Sequence, residues 1–199
     1  MRNRHELTRK LETEYRNWLI RKGFEDLIKA ITNFLIEICR FYEILEELKD
    51  VKSWEVYQQL LIKPFPKLSL KHYPELIRIV KSHLKEDLLL EEEIESINRV
   101  RRCIVHRNGF VTREDFNSEE NCLLLKWEYL VLKYVENGVE KDFHKYIILT
   151  SEGDTKVVKD KKSKKFELNE RVQISYQLFN ELIFTCDLFG KDLISKLVV

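Results

Sequence analysis

Most features that mark common chemical sites are missing from this sequence. Its four cysteines, Cys39, Cys103, Cys122 and Cys186, stand far apart. None forms a Cys-x-x-Cys pair or joins a histidine at zinc spacing, which argues against a zinc site or a disulfide framework. Three lie in apolar runs and read as buried free thiols of a reducing compartment. The five glycines compose neither a phosphate-binding loop nor a dinucleotide fingerprint, and no nucleophilic triad is visible. No apolar run approaches the length needed to span a bilayer. The opening Met1-Arg-Asn-Arg-His-Glu6 is polar and begins a helical pattern, unlike a signal peptide. Charge of one sign is also lacking, since 35 Lys and Arg against 34 Asp and Glu leave a net charge of +1. No overall field draws such a chain to nucleic acid or membrane, so any such binding must come from a local patch. The expectation is a soluble, cytoplasmic protein with no membrane contact, no metal and no cofactor.

What is present is apolar periodicity. With 199 residues, 44% hydrophobic and 35% charged, the chain reads as one helix-rich domain over 1–199 with enough apolar surface for its own core. Leu7, Leu11, Tyr15, Trp18 and Leu19 recur at helical spacing, and Gly23 is expected to interrupt that helix. A stronger stripe runs from Phe24 through Ile28, Ile31, Leu35, Ile38 and Tyr42 to Leu48, predicting a long core-facing helix. The aromatics of both patterns read as core packing. A short helix within 51–62, a break at Lys63-Pro64-Phe65-Pro66 and a helix from near Pro74 to Leu84 follow.

Beyond residue 110 the character changes. Residues 122–135 are rich in strand formers, although part of that run also fits a helix. Asn137-Gly138 signals a hairpin, and 146–150 and 155–158 read as short strands around a turn at Gly153. Lys159 to Lys165 reads as a basic loop, a solvated tip or a phosphate contact. A closing helix is expected from an N-cap at Asn169 to about Leu197, kinked at Gly190. The fold class is therefore mainly α: a helical bundle with a small β-hairpin insertion at about 124–168, before the C-terminal helix.

One stretch concentrates chemistry. Arg99, Arg101, Arg102, His106 and Arg107 fall within nine residues, near the end of a helix that opens on Glu91-Glu92-Glu93 and stops at Asn108-Gly109. An Arg-x4-His spacing occurs twice, at Arg101–His106 and at Arg78–His83; only the first has basic neighbours and the Asn-Gly stop. Successive helical residues turn by about 100°, so Arg101 and His106 lie roughly 140° apart, whereas Arg99, Arg102 and His106 share a face. Arg101 meets a histidine only if the helix loosens near His106 or a second chain supplies the partner.

Arginine, four residues, histidine, followed closely by Asn-Gly and set late in a helical bundle, resembles the HEPN superfamily. Many of its members are metal-independent ribonucleases with an Arg-x(4–6)-His motif. The resemblance is specific only over about 93–111, and Arg102 departs from the Asn, Asp or His usual after the motif arginine. It implies Arg101 and His106 as catalytic residues. Arg99, Arg102, Arg107 and Asn108 would be substrate-binding. It also implies RNA as substrate, a homodimer with two facing motifs, and a toxin or phage-defence role with an antitoxin or regulatory partner. In such chemistry a ribose 2′-hydroxyl attacks the neighbouring phosphate. Histidine transfers the proton and arginine steadies the phosphorane charge. The alternative is a catalytically silent HEPN-like RNA- or nucleotide-binding or scaffold protein, in which His106 only caps its helix.

Overall fold

The computed structural model describes residues 2–49, 53–62, 66–117, 120–136, 139–142 and 154–197. The expected turns at Asn137-Gly138 and Gly153, the strand at 146–150 and the break at 63–65 lie outside them. The chain is mainly helical, with an antiparallel sheet before its closing helix. Among the described residues six α-helices occur, α1 (Arg2–Leu48), α2 (Trp54–Ile62), α3 (Pro66–Ser69), α4 (Tyr73–His83), α5 (Glu91–Arg107) and α6 (Tyr176–Ser195). Three strands, β1 (Leu123–Glu136), β2 (Val139–Asp142) and β3 (Asp154–Phe166), lie between α5 and α6.

Two compact units divide the chain, one of 1–24 with 90–188, the other of 25–89 with 189–199. In the second unit, the apolar stripe of α1 is buried as expected: Ile28, Ile31, Leu35 and Ile38 join Leu76 and Val80 of α4 and Phe189 and Leu193 of α6 in its core. Here the rival spacing Arg78–His83 finds its explanation. The His83 ring stacks on Tyr42 at 4.3 Å between centroids, so this histidine packs against an aromatic ring.

In the first unit the sheet has the order β2-β1-β3, all antiparallel. Register pairs Leu123 with Phe166, Leu125 with Lys164 and Trp127 with Lys162 on one face. Leu124 with Lys165, Lys126 with Ser163 and Glu128 with Lys161 form the other. The second face meets the acidic start of α5, where Glu92 pairs with Lys126 and the buried Glu93 with Lys161, each at 2.9 Å. The first face meets α6, where Glu181 accepts from the Trp127 indole at 2.6 Å and lies 3.7 Å from Lys162.

Four corrections to the sequence reading follow. Lys159–Lys165 is part of β3, not a loop; acids on α5 and α6, and Glu120 beside Lys165, neutralise lysines that the sequence shows only as a basic run. Gly23 does not interrupt α1. A Cβ there would sit 2.9 Å from the Phe179 ring, so the glycine is a notch for that ring inside a continuous helix. The closing helix begins at Tyr176, with Ser175 accepting from the Leu178 N–H at 3.1 Å, and it passes through Gly190. Asn169 is instead a left-handed turn residue (φ 65°), because residues 169–172 are taken up in pairing with 109–111. Finally, Leu7, Leu11, Tyr15 and Trp18 do form one helical face, but all four stand exposed. Periodicity identifies a face without identifying what covers it.

On the edge of β1 that β2 does not reach, two buried hydroxyls take up the backbone groups of Lys126 and Glu128. Ser96 of α5 accepts from the Lys126 N–H at 2.8 Å, and Thr185 of α6 accepts from the Glu128 N–H at 3.0 Å. Each hydroxyl also has a carbonyl of α5, α6 or β1 within donating distance. Thr185→Val keeps the shape and removes the hydroxyl, leaving the Glu128 backbone unpaired. We expect a loss of about 1–3 kcal/mol in urea denaturation, largely restored by Thr185→Ser. An unchanged midpoint for Thr185→Val would show that the hydroxyl does not hold this edge.

Candidate functional site

Helix α5 positions every residue of the arginine–histidine cluster. Its inner face buries Ile94, Ile97, Val100, Cys103 and Ile104. Its end is set by backbone geometry. Asn108 adopts the left-handed region (φ 54°) and Gly109 follows at φ 82°, with the Gly109 N–H donating to the Cys103 carbonyl at 3.1 Å. This six-residue closure satisfies a carbonyl of the last turn. At Gly109 the left-handed φ disfavours a side chain, while the nearest atom to a Cβ there, the Val172 carbonyl oxygen at 3.5 Å, would be in ordinary contact. The expected stop is therefore present, shared between both residues.

Along the outer face the residues at 95, 99, 102 and 106 align. Arg99 is held by Glu95 at 2.7 Å. Arg102 and His106, further along, are exposed and have no hydrogen bond or ion pair among the described residues. Arg101 lies on a different face and is half-buried; its Nε is buried with no hydrogen-bond partner among the described residues. Because α5 remains helical to Arg107, no loosening brings Arg101 round to His106 within the chain.

Arg107 has a structural partner. Its guanidinium forms a two-pronged pair with Asp115, Nε donating at 2.8 Å and Nη2 donating to the other oxygen, with Glu114 at 3.3 Å. Asp115 is 1% exposed and also accepts from the Thr112 N–H at 2.9 Å. Burial alone would raise its carboxyl pKa, but the hydrogen bonds and charge of Arg107, with those of Thr112, hold it below the ordinary carboxylate value. Beneath this pair, burial and the charge of Asp115 push the Cys103 thiol up to about 11. All four cysteines are free and buried.

Asn108 opens onto a cavity of about 520 Å³ in the same unit. Arg21 of α1, Lys164 of β3 and Arg171 line it, and among the described residues no Asp or Glu does. The Arg21 guanidinium donates to the Ile104 carbonyl at 3.2 Å, Arg171 lies 5.6 Å from the Phe110 ring centre, and Lys164 lies 4.8 Å from that of Phe166. These three cations were not among the site residues read from the sequence. They come from three separate segments: the pairing of 109–111 with 169–172 places Arg171, the β1–β3 register places Lys164, and the hydrogen bond to the Ile104 carbonyl places Arg21. Among the described residues no cluster of His, Cys, Asp and Glu could hold a metal ion, and no helix is long and apolar enough to cross a membrane.

No protein-family model, curated protein or solved structure matches this chain.

Proposed function

We propose that the chain is a metal-independent endoribonuclease of HEPN type that works as a homodimer, with Arg101 and His106 as catalytic residues. The observation that carries this reading is the uncommitted chemistry on the last two turns of α5. Among the described residues, Arg102 and His106 stand exposed without hydrogen-bond or ion-pair partners, and Arg101 holds a buried donor without an acceptor. A phosphate oxygen is a fitting acceptor for such a guanidinium, and an imidazole can both accept and donate the proton that such a transfer moves. Arg102 and Asn108 are assigned to substrate binding. Arg99 joins them if RNA displaces Glu95. Arg107 contributes charge while remaining bound to Asp115.

The helical phase favours a composite site. Two copies related by a two-fold axis near α5 would bring two histidines and two arginine sets around one phosphate, since an isologous contact duplicates whatever lies at the axis. The exposed stripe Leu7, Leu11, Tyr15 and Trp18 offers apolar surface to hold such a pair against the repulsion of its cations. Cytoplasmic location, a toxin or phage-defence role and an antitoxin or regulatory partner belong to this proposal through the HEPN resemblance. A second reading, a silent RNA- or nucleotide-binding protein, is favoured by the separation of Arg101 from His106 within one chain.

Incubation of the purified protein with labelled RNA tests the assignment. Cleavage should persist in EDTA and leave a 2′,3′-cyclic phosphate. Light scattering should give about 48 kDa, twice the 24.1 kDa chain. Activity that EDTA abolishes and magnesium restores would reject the mechanism, and a fully active monomer would reject the composite site.

A further inference from the structure

We infer that the cavity at the end of α5 binds a phosphate ester of nucleotide size, through Arg21, Lys164 and Arg171. The inference does not use His106 and stands whether or not the chain cleaves RNA.

Contrast within one strand is the first ground. Lys161, Lys162 and Lys165 of β3 each have a carboxylate within ion-pair distance. Lys164, on the same strand, has none among the described residues, and neither do Arg21 and Arg171. Three like charges around a cavity without an acid repel one another, and a bound anion relieves that repulsion. Preorganisation is the second ground. The Ile104 carbonyl holds the Arg21 guanidinium, the Phe110 ring lies beside Arg171, and the Val172 N–H donates to the Gly109 carbonyl at 2.8 Å, fixing the backbone next to Arg171. Cations already fixed in place lose little freedom when they take up a phosphate.

The lining also sets the size and kind of ligand. A volume of about 520 Å³ falls among the cavities that hold small organic molecules and far exceeds the needs of a lone inorganic anion. Asn17, Asn108 and Gln173 add amides that both donate and accept, as the edge of a base or a ribose hydroxyl requires. A nucleotide joins these two chemistries in one molecule. It could be free or be one residue of an RNA strand, and the protein groups would meet the same atoms in either case.

Titration calorimetry on the full chain separates the sources. The probes are AMP, inorganic phosphate and a 2′-O-methyl oligoribonucleotide, which lacks the attacking hydroxyl and so survives any cleavage. Saturable binding of AMP, tighter than that of inorganic phosphate, identifies a free nucleotide. Binding of the oligonucleotide alone identifies a strand. In either case Lys164→Met and Arg171→Met should each weaken binding by about tenfold, as expected for loss of a charge-assisted contact. Both side chains are exposed, so both variants should keep the unliganded thermal midpoint. Lys159→Met should leave affinity unchanged. His106→Ala, which removes cleavage on the reading above, should still bind; cleavage and cavity binding can thus fail separately. Absence of binding by both AMP and the oligonucleotide overturns the inference, as does full affinity in the Lys164→Met, Arg171→Met double variant.

Discussion

Replacing His106 with alanine is expected to lower RNA cleavage by about 10²–10⁴-fold, the usual contribution of a positioned acid or base. The side chain is exposed and makes no hydrogen bond or ion pair among the described residues, so the fold should be untouched. Arg101→Ala should cause a loss of similar order, because stabilisation of developing phosphorane charge disappears. Mixing the two inactive variants supplies the decisive case. If the two chains share one site, a mixed dimer keeps one Arg101 and one His106, on opposite chains, and part of the activity returns. If each chain holds a complete site, mixing restores nothing. A His106→Ala variant with undiminished cleavage would remove His106 from the catalytic machinery and with it the HEPN-type mechanism, and RNA binding without turnover in the wild type would favour the silent reading.

The second large effect concerns stability. Arg107→Ala should cost about 3–5 kcal/mol near neutral pH, because it leaves the Asp115 carboxylate buried and uncompensated. In the wild type the folded-state pKa of Asp115 is depressed. The pair's contribution is therefore fully present above the unfolded pKa, about 3.9, and is lost as pH falls through the lower folded value. In Arg107→Ala the sign reverses. Burial without the guanidinium raises the folded pKa, so the variant's deficit should narrow as pH falls towards 4. Urea denaturation at several pH values reads both slopes. A deficit that stays constant with pH would mean that the damage comes from lost packing instead. Removing Asp115 as well should cost less than the sum of the single losses, since the two side chains act as a unit.

The outcome for Arg107 shows where the sequence was legible and where it was not. The helix carrying the cluster, its acidic start and its Asn-Gly stop follow from local chemistry, and the structure has them at the expected positions. The commitment of Arg107 depends on Asp115, eight residues on, in a 3₁₀ turn that no periodicity announces. Lys159–Lys165 misled for a related reason. A strand with lysines on both faces lacks the alternation by which strands are read, and what stabilises it is acids on two separate helices. The late start of α6 has the same origin, since backbone pairing with 109–111 takes up residues that local capping preference would assign to a helix. Arg21, Lys164 and Arg171 could not be grouped from the sequence, because nothing local links three cations whose only relation is a shared cavity wall.

The hydroxyls at the edge of β1 bear on how the chain behaves in crowded solution. The run Leu123-Leu-Leu-Lys-Trp-Glu-Tyr-Leu-Val-Leu-Lys-Tyr-Val135 combines strong strand preference with few charges and no proline. Such segments recruit strands from other molecules when their backbone donors and acceptors are open. Ser96 and Thr185 occupy those groups at Lys126 and Glu128, in the middle of the run, before another chain can reach them. Two small side chains on flanking helices thus guard against fibrillar growth at this stretch of β1, the most apolar strand of the sheet.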